Sequence, residues 1–69
     1  LQTELEEAVD KAIQRLPEKQ KAALVLRRHR ELPYAEIAKI MSVSEPAVKA
    51  LIFKARTRIR SSLRPYLEG

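Results

Sequence analysis

The chain contains no cysteine and no tryptophan, a single histidine, and a single glycine that is also its last residue. Without cysteine there is neither a disulfide framework nor a thiolate metal site. One histidine, His29, cannot supply the imidazoles of a zinc centre, so no metal and no cofactor is expected. No apolar run approaches the roughly 20 residues of a membrane span. Residues 1–15 carry Glu4, Glu6, Glu7 and Asp10 where a secretory leader needs an apolar stretch. These absences lead to the expectation of a cytoplasmic protein without membrane insertion. Catalytic groupings are missing as well: no His–carboxylate constellation, no Gly-rich phosphate loop and no nucleophile beside an evident base. No enzyme, no catalytic residue and no small-molecule substrate is therefore expected, and Ser44 is better explained as a helix cap.

What is present is charge and helical periodicity. The formal net charge is +5, unevenly placed: residues 1–26 hold four basic and five acidic side chains, residues 27–69 ten basic and four acidic. Such an asymmetry fits a C-terminal half that faces a polyanion, and it fits a solvated helical surface equally well. Sixty-nine residues suffice for one small domain, 1–69, with a thin core. The first residue is Leu1 rather than Met, which suggests a piece of a longer chain. There is no internal repeat and no low-complexity segment.

Apolar residues recur at helical spacing throughout, which predicts an all-α fold: a small four-helix domain with a C-terminal helix-turn-helix. Leu5, Val9, Ala12, Ile13 and Leu16 mark a first helix over about 3–15, capped by Thr3. Pro17 suits the first position of a second helix, about 17–29, with Ala22, Ala23, Leu24, Val25 and Leu26 on its buried side. A third, short helix spans about 34–41. Ser42-Val43 makes a turn, and Ser44 caps a fourth helix in which Pro46 is tolerated. That helix runs to about Leu63, Pro65 closes it, and 65–69 is a loose tail whose Tyr66 and Leu67 have the option of packing back. The helix-turn-helix thus covers about 34–63. Ile37, Ala38, Met41, Val43, Val48, Leu51 and Ile52 supply its contacts, with Ala38 where the helices cross.

On a helical wheel the fourth helix divides cleanly. Val48, Leu51, Ile52, Ala55 and Ile59 form an apolar stripe about 100° wide that faces the core. Pro46, Ala50, Phe53 and Thr57 point the opposite way, flanked by Lys49, Arg56 and Arg60 on one side and by Lys54 and Arg58 on the other. A ridge of modest side chains between two basic rows suits a DNA major groove, with the ridge near base edges and the rows near phosphates. An outward Phe53 is unfavourable unless covered; it meets either a thymine methyl or a neighbouring loop or tail. Glu45 either complements the helix dipole or accepts from a cytosine amine. Arg27, Arg28 and Arg30 suit the negative end of the second helix and are also placed to touch DNA backbone. Tyr34 packs at the start of the third helix with its hydroxyl free to reach a phosphate, and His29 reads as a solvent-facing residue.

The stretch LPEKQKAALVLRRHRELPYAEIAKIMSVSEPAVKALIFKARTRIR, Leu16 to Arg60, resembles region 4 of bacterial sigma factors, most closely the extracytoplasmic-function group. The resemblance rests on the LPEKQ entry, the YAEIAKIM helix and the AVKALIFKAR stretch, in this order and spacing. It implies a domain that binds double-stranded promoter DNA at the −35 element as the C-terminal part of an alternative sigma subunit of RNA polymerase. The positions matching Lys49, Ala50, Phe53 and Lys54 would contact DNA, and those matching Arg27 and Lys39 would lie near its backbone. Together with the wheel this makes Arg27, Lys39, Ser44, Glu45, Pro46, Lys49, Ala50, Phe53, Lys54 and Arg56 the candidate DNA-binding residues. The resemblance also implies docking to the beta flap of the polymerase core through an apolar groove, and sequestration by an anti-sigma factor. The promoter-melting part of a whole sigma subunit is not among these residues. Ser42 stands where that family usually has Gly, Pro33 where a capping Ser or Thr is common, and Ala50 where Ser is frequent. Two other readings stay open: a stand-alone LuxR-like helix-turn-helix regulator, and a module used mainly to bind anti-sigma factor or polymerase.

Overall fold

A computed structural model describes residues 3–67. They form α1 (Glu4–Gln14), α2 (Glu18–Arg30), α3 (Tyr34–Met41), α4 (Glu45–Ser62) and a single turn, α5 (Arg64–Leu67). The long α4 is the spine: α1, α2, α3 and α5 all pack on it. Its inward residues Val48, Ile52 and Ala55 join Ile37 and Ala38 from α3, Ala23 and Leu24 from α2, and Leu16 before α2 in one buried cluster. No polar or charged side chain is buried among the described residues, so this core is held by apolar burial alone. Among the described residues, no helix is long and apolar enough to cross a membrane.

Local chemistry sets the helix ends. Thr3 Oγ1 accepts from the Glu6 N–H at 3.1 Å, and Glu4, Glu6 and Glu7 fill the first turn of α1, where the helix dipole favours negative charge. Pro17 stands one position earlier than expected. It is the cap rather than the first helical residue, because its extended ψ of 147° turns its carbonyl to accept from the Lys21 N–H at 2.9 Å. The α2 face is also narrower than expected: Ala23 and Leu24 are buried, Val25 and Leu26 half-buried, and Ala22 exposed. One face of α2 meets α4, and Ala22 lies off it.

Between α3 and α4, Ser42 adopts the left-handed conformation (φ 57°, ψ 46°), the Val43 N–H reaches back to the Ala38 carbonyl at 3.0 Å, and Ser44 Oγ accepts from the Ala47 N–H at 3.2 Å. This turn is three residues long. It brings α4 back across α3 at Ala38, which is buried. A second left-handed residue, Glu31 (φ 52°), ends α2 with its N–H, and that of Leu32 at 3.5 Å, directed to the Leu26 carbonyl, a wider closure than the Schellman return at Ser42. Neither position is a glycine, and each costs about 1 kcal/mol relative to one.

The C-terminus departs from expectation. Pro65 does not close α4. The helix already ends at the buried Leu63, whose carbonyl accepts from the N–H groups of Tyr66 and Leu67 at 2.9 and 3.1 Å. Pro65 then sits in the first turn of α5, where its missing N–H is not needed. The domain therefore has a fifth short helix where a tail was expected; residues 68 and 69 lie outside the described residues.

Replacing Ser42 by Gly should stabilise the protein by about 0.5–1 kcal/mol, the relief of left-handed strain less the greater chain entropy of glycine. A thermal melt followed by circular dichroism should move up by a few degrees. A lower Tm would mean that the Ser42 side chain supports the turn.

Candidate nucleic-acid interface

The outward side of α4 is as the wheel predicts. Glu45, Pro46, Lys49, Ala50, Phe53, Lys54, Arg56, Thr57, Arg58 and Arg60 are exposed, while Val48, Ile52 and Ala55 behind them are buried. Phe53 keeps 71% of its surface exposed. Among the described residues no loop or tail covers it; its neighbours around a shallow hollow are Gln20, Lys54, Thr57 and Arg58. Thr57 Oγ1 donates to the Phe53 carbonyl at 2.9 Å, so this hydroxyl is spent within the helix and the ridge ends in an aromatic face. Ser44 is likewise occupied, as the cap of α4, and Glu45 lies in the first turn where the dipole favours it.

The candidates outside α4 divide. Lys39 lies on the solvent side of α3 and pairs with Glu36 at 3.9 Å, a surface pair worth well under about 1 kcal/mol. Arg27 is more constrained. Its Nη1 donates to the Leu32 carbonyl at 3.0 Å, which ties the end of α2 to the linker before α3. Its guanidinium lies 5.0 Å from the centre of the Tyr34 ring. Lys49 Nζ, from α4, lies 5.8 Å from the same centre. Each contact is worth about 0.5–1 kcal/mol at a partly exposed site. The half-buried Tyr34 thereby brings together two of the predicted residues, Arg27 and Lys49, which are 22 positions apart in sequence.

Sequence reasoning did not place a second feature. Leu24, Ile59, Leu63 and Leu67 floor a groove of about 450 Å³, and Arg27, Arg28, Arg56 and Arg60 stand around it. Its far wall is Leu67, which only the turn of α5 brings there. The periodicity of α4 pointed to Ile59, and the option of Tyr66 and Leu67 packing back and an apolar groove were both expected, but no local signal placed the turn after Leu63 or named the residues of the groove.

The family model for sigma-70 region 4 matches residues 6–59, which is α1 through almost all of α4. The chain belongs to the sigma-70 region 4 family. Relatives of this region 4 chain include the RNA polymerase sigma-H factor of Pseudomonas aeruginosa, 40% identical over 67 residues (97% of this chain, 35% of that protein). The ECF RNA polymerase sigma-E factor of Haemophilus influenzae is 39% identical over 67 residues (97% and 35%), and the ECF RNA polymerase sigma factor SigM of Bacillus subtilis 35% over 60 residues (87% and 37%). This chain spans about a third of the length of these curated relatives. In region 4 terms, α3 and α4 are the helix-turn-helix.

Exposure separates the two adjacent large residues of α4. Ile52, 2% exposed, should lose about 2–5 kcal/mol when replaced by Ala, much of the stability of so small a protein. Phe53→Ala should change stability by no more than about 0.5 kcal/mol. Comparable drops in Tm for both would place Phe53 in the core.

Proposed function

We propose that this chain reads the −35 element of promoters as the C-terminal part of an alternative, extracytoplasmic-function sigma factor, and so directs RNA polymerase. The observation that carries this reading is the outward face of α4: an exposed Phe53 and Ala50 between two rows of exposed cations. An α-helix fits the major groove, Phe53 offers an apolar surface to a thymine methyl, and Lys49 and Lys54 are long enough to reach base edges or phosphates on either side. Arg27 approaches the backbone from the end of α2. Ser44, Glu45 and Pro46 set the depth at which α4 enters, Ser44 through its cap and not by a free hydroxyl. Lys39 and Arg56 contribute phosphate contacts at the edges. The reading requires no catalysis, metal or cofactor, and it puts the protein in the cytoplasm with the polymerase.

A second surface supports a second role. The α2–α4–α5 groove joins an apolar floor to a cationic rim, which suits a protein segment with apolar and acidic side chains. We assign docking of the polymerase beta flap, or of an anti-sigma factor, to it. The similarity to sigma factors over 97% of the chain supports this reading above a stand-alone LuxR-like regulator.

Selection from randomised duplex DNA at low salt tests the proposal. One enriched motif, of the GGAAC kind that this family's promoters resemble, is expected. The affinity should fall steeply with salt, with a slope of about −5 to −7 for five to eight phosphate contacts. Lys49→Ala should weaken binding to the enriched duplex by about 1–3 kcal/mol and binding to random duplex by less. Retention without any motif would contradict sequence reading by this chain.

A further inference from the structure

The Tyr34 ring touches Arg27 from α2 and Lys49 from α4 while belonging to α3. We propose that Tyr34 is a positioning residue for DNA reading: its ring sets the direction of the Lys49 side chain, and so determines how sharply Lys49 discriminates between base pairs. The inference rests on the reading of α4 as the DNA-contacting helix.

Lysine is a poor reader unless something orders it. Its ammonium is a point charge on a flexible four-carbon stem, and it forms hydrogen bonds in many directions with little difference in energy. Arginine presents a rigid fork; lysine acquires direction only from its surroundings. Here the surroundings are an aromatic face. Tyr34 is itself fixed, because it follows Pro33 at the start of α3 and its inner edge packs against the buried cluster. Arg27 lies over the same ring at 5.0 Å and is held a second time by its 3.0 Å bond to the Leu32 carbonyl, so the ring has one tethered cation beside it as well as the Lys49 ammonium. With the ring in place, Lys49 loses part of its rotamer freedom before DNA arrives. Two cations on one ring also repel each other. An approaching phosphate relieves that repulsion at Arg27 and leaves Lys49 free for the adjacent base edge.

The experiment compares the wild-type chain with Tyr34→Phe and Tyr34→Leu, each also in a Lys49→Ala background. It measures binding to the duplex enriched by selection and to a scrambled duplex, with folding followed by circular dichroism. Tyr34→Phe should keep the wild-type affinity ratio, since it keeps the ring. Tyr34→Leu should lower the ratio about two- to fivefold, the factor that one cation–π contact is worth, and should have no further effect once Lys49 is Ala. In the free wild-type chain the ε-methylene protons of Lys49 should resonate upfield of those of Lys54, a ring-current signature readable even if Tyr34→Leu does not fold. The proposal is overturned by an equal fall on both duplexes, by an undiminished effect in the Lys49→Ala background, by Tyr34→Phe falling as far as Tyr34→Leu, or by unshifted Lys49 protons. A wild-type chain that prefers neither duplex overturns the DNA reading itself and this inference with it, and is distinguished by failing before any substitution is made.

Discussion

The close crossing of α3 and α4 at Ala38 is the constraint on which the rest depends. A methyl group there lets the short helix lie against α4 tightly enough for Ile37, Val48 and Ile52 to be almost wholly buried. The three-residue turn between the helices follows from the same geometry: one residue must take the left-handed conformation, and the next N–H must return to the Ala38 carbonyl. Here the left-handed residue is Ser42, so the protein accepts local strain to keep the crossing angle. With α1, α2, α3 and α5 all packed on one side of α4, no described residue covers its outward side, and Phe53 stays 71% exposed.

Much of this was legible in the sequence, for reasons that are local. Thr3 and Ser44 are caps because a hydroxyl one residue before a helix finds an unpaired N–H, and this depends on neighbours within four positions. The stripe of Val48, Ile52 and Ala55 was legible because helical spacing leaves one face apolar. The α3 bounds, 34–41, coincide with the expected ones, since Pro33 and Ser42 end that helix on both sides.

What was not legible depends on tertiary closure. Glu31 gives no sign that it will adopt the left-handed conformation; it does so because α2 must stop and Leu32 must reach the core. Pro65 reads as a helix stop, yet it lies inside α5, because Leu63 buries itself first and the chain turns around it. That turn makes the groove with Leu67, so the second surface was invisible to periodicity. Of the candidate DNA-binding residues, the outward exposure of the α4 set was legible from the wheel, but the juxtaposition of Arg27 and Lys49 required knowing that the Tyr34 ring would touch both α2 and α4. The groove is lined by Arg27 and the Arg56 row of α4, so a partner seated in it would compete for cations that the proposed DNA contact also uses. This gives a physical basis for one ligand to modulate the other on a domain too small to change shape extensively.

The central claim, that the outward face of α4 enters the DNA groove, is tested most directly by titrating the isotope-labelled chain with duplex DNA and following its backbone amide resonances. The account predicts that the shifts concentrate at Lys49, Ala50, Phe53 and Lys54, with Tyr34 and the end of α2 responding beside them, and that Leu63 and Leu67 stay still. Shifts centred on Leu63 and Leu67, with Ala50 and Phe53 unmoved, would contradict it.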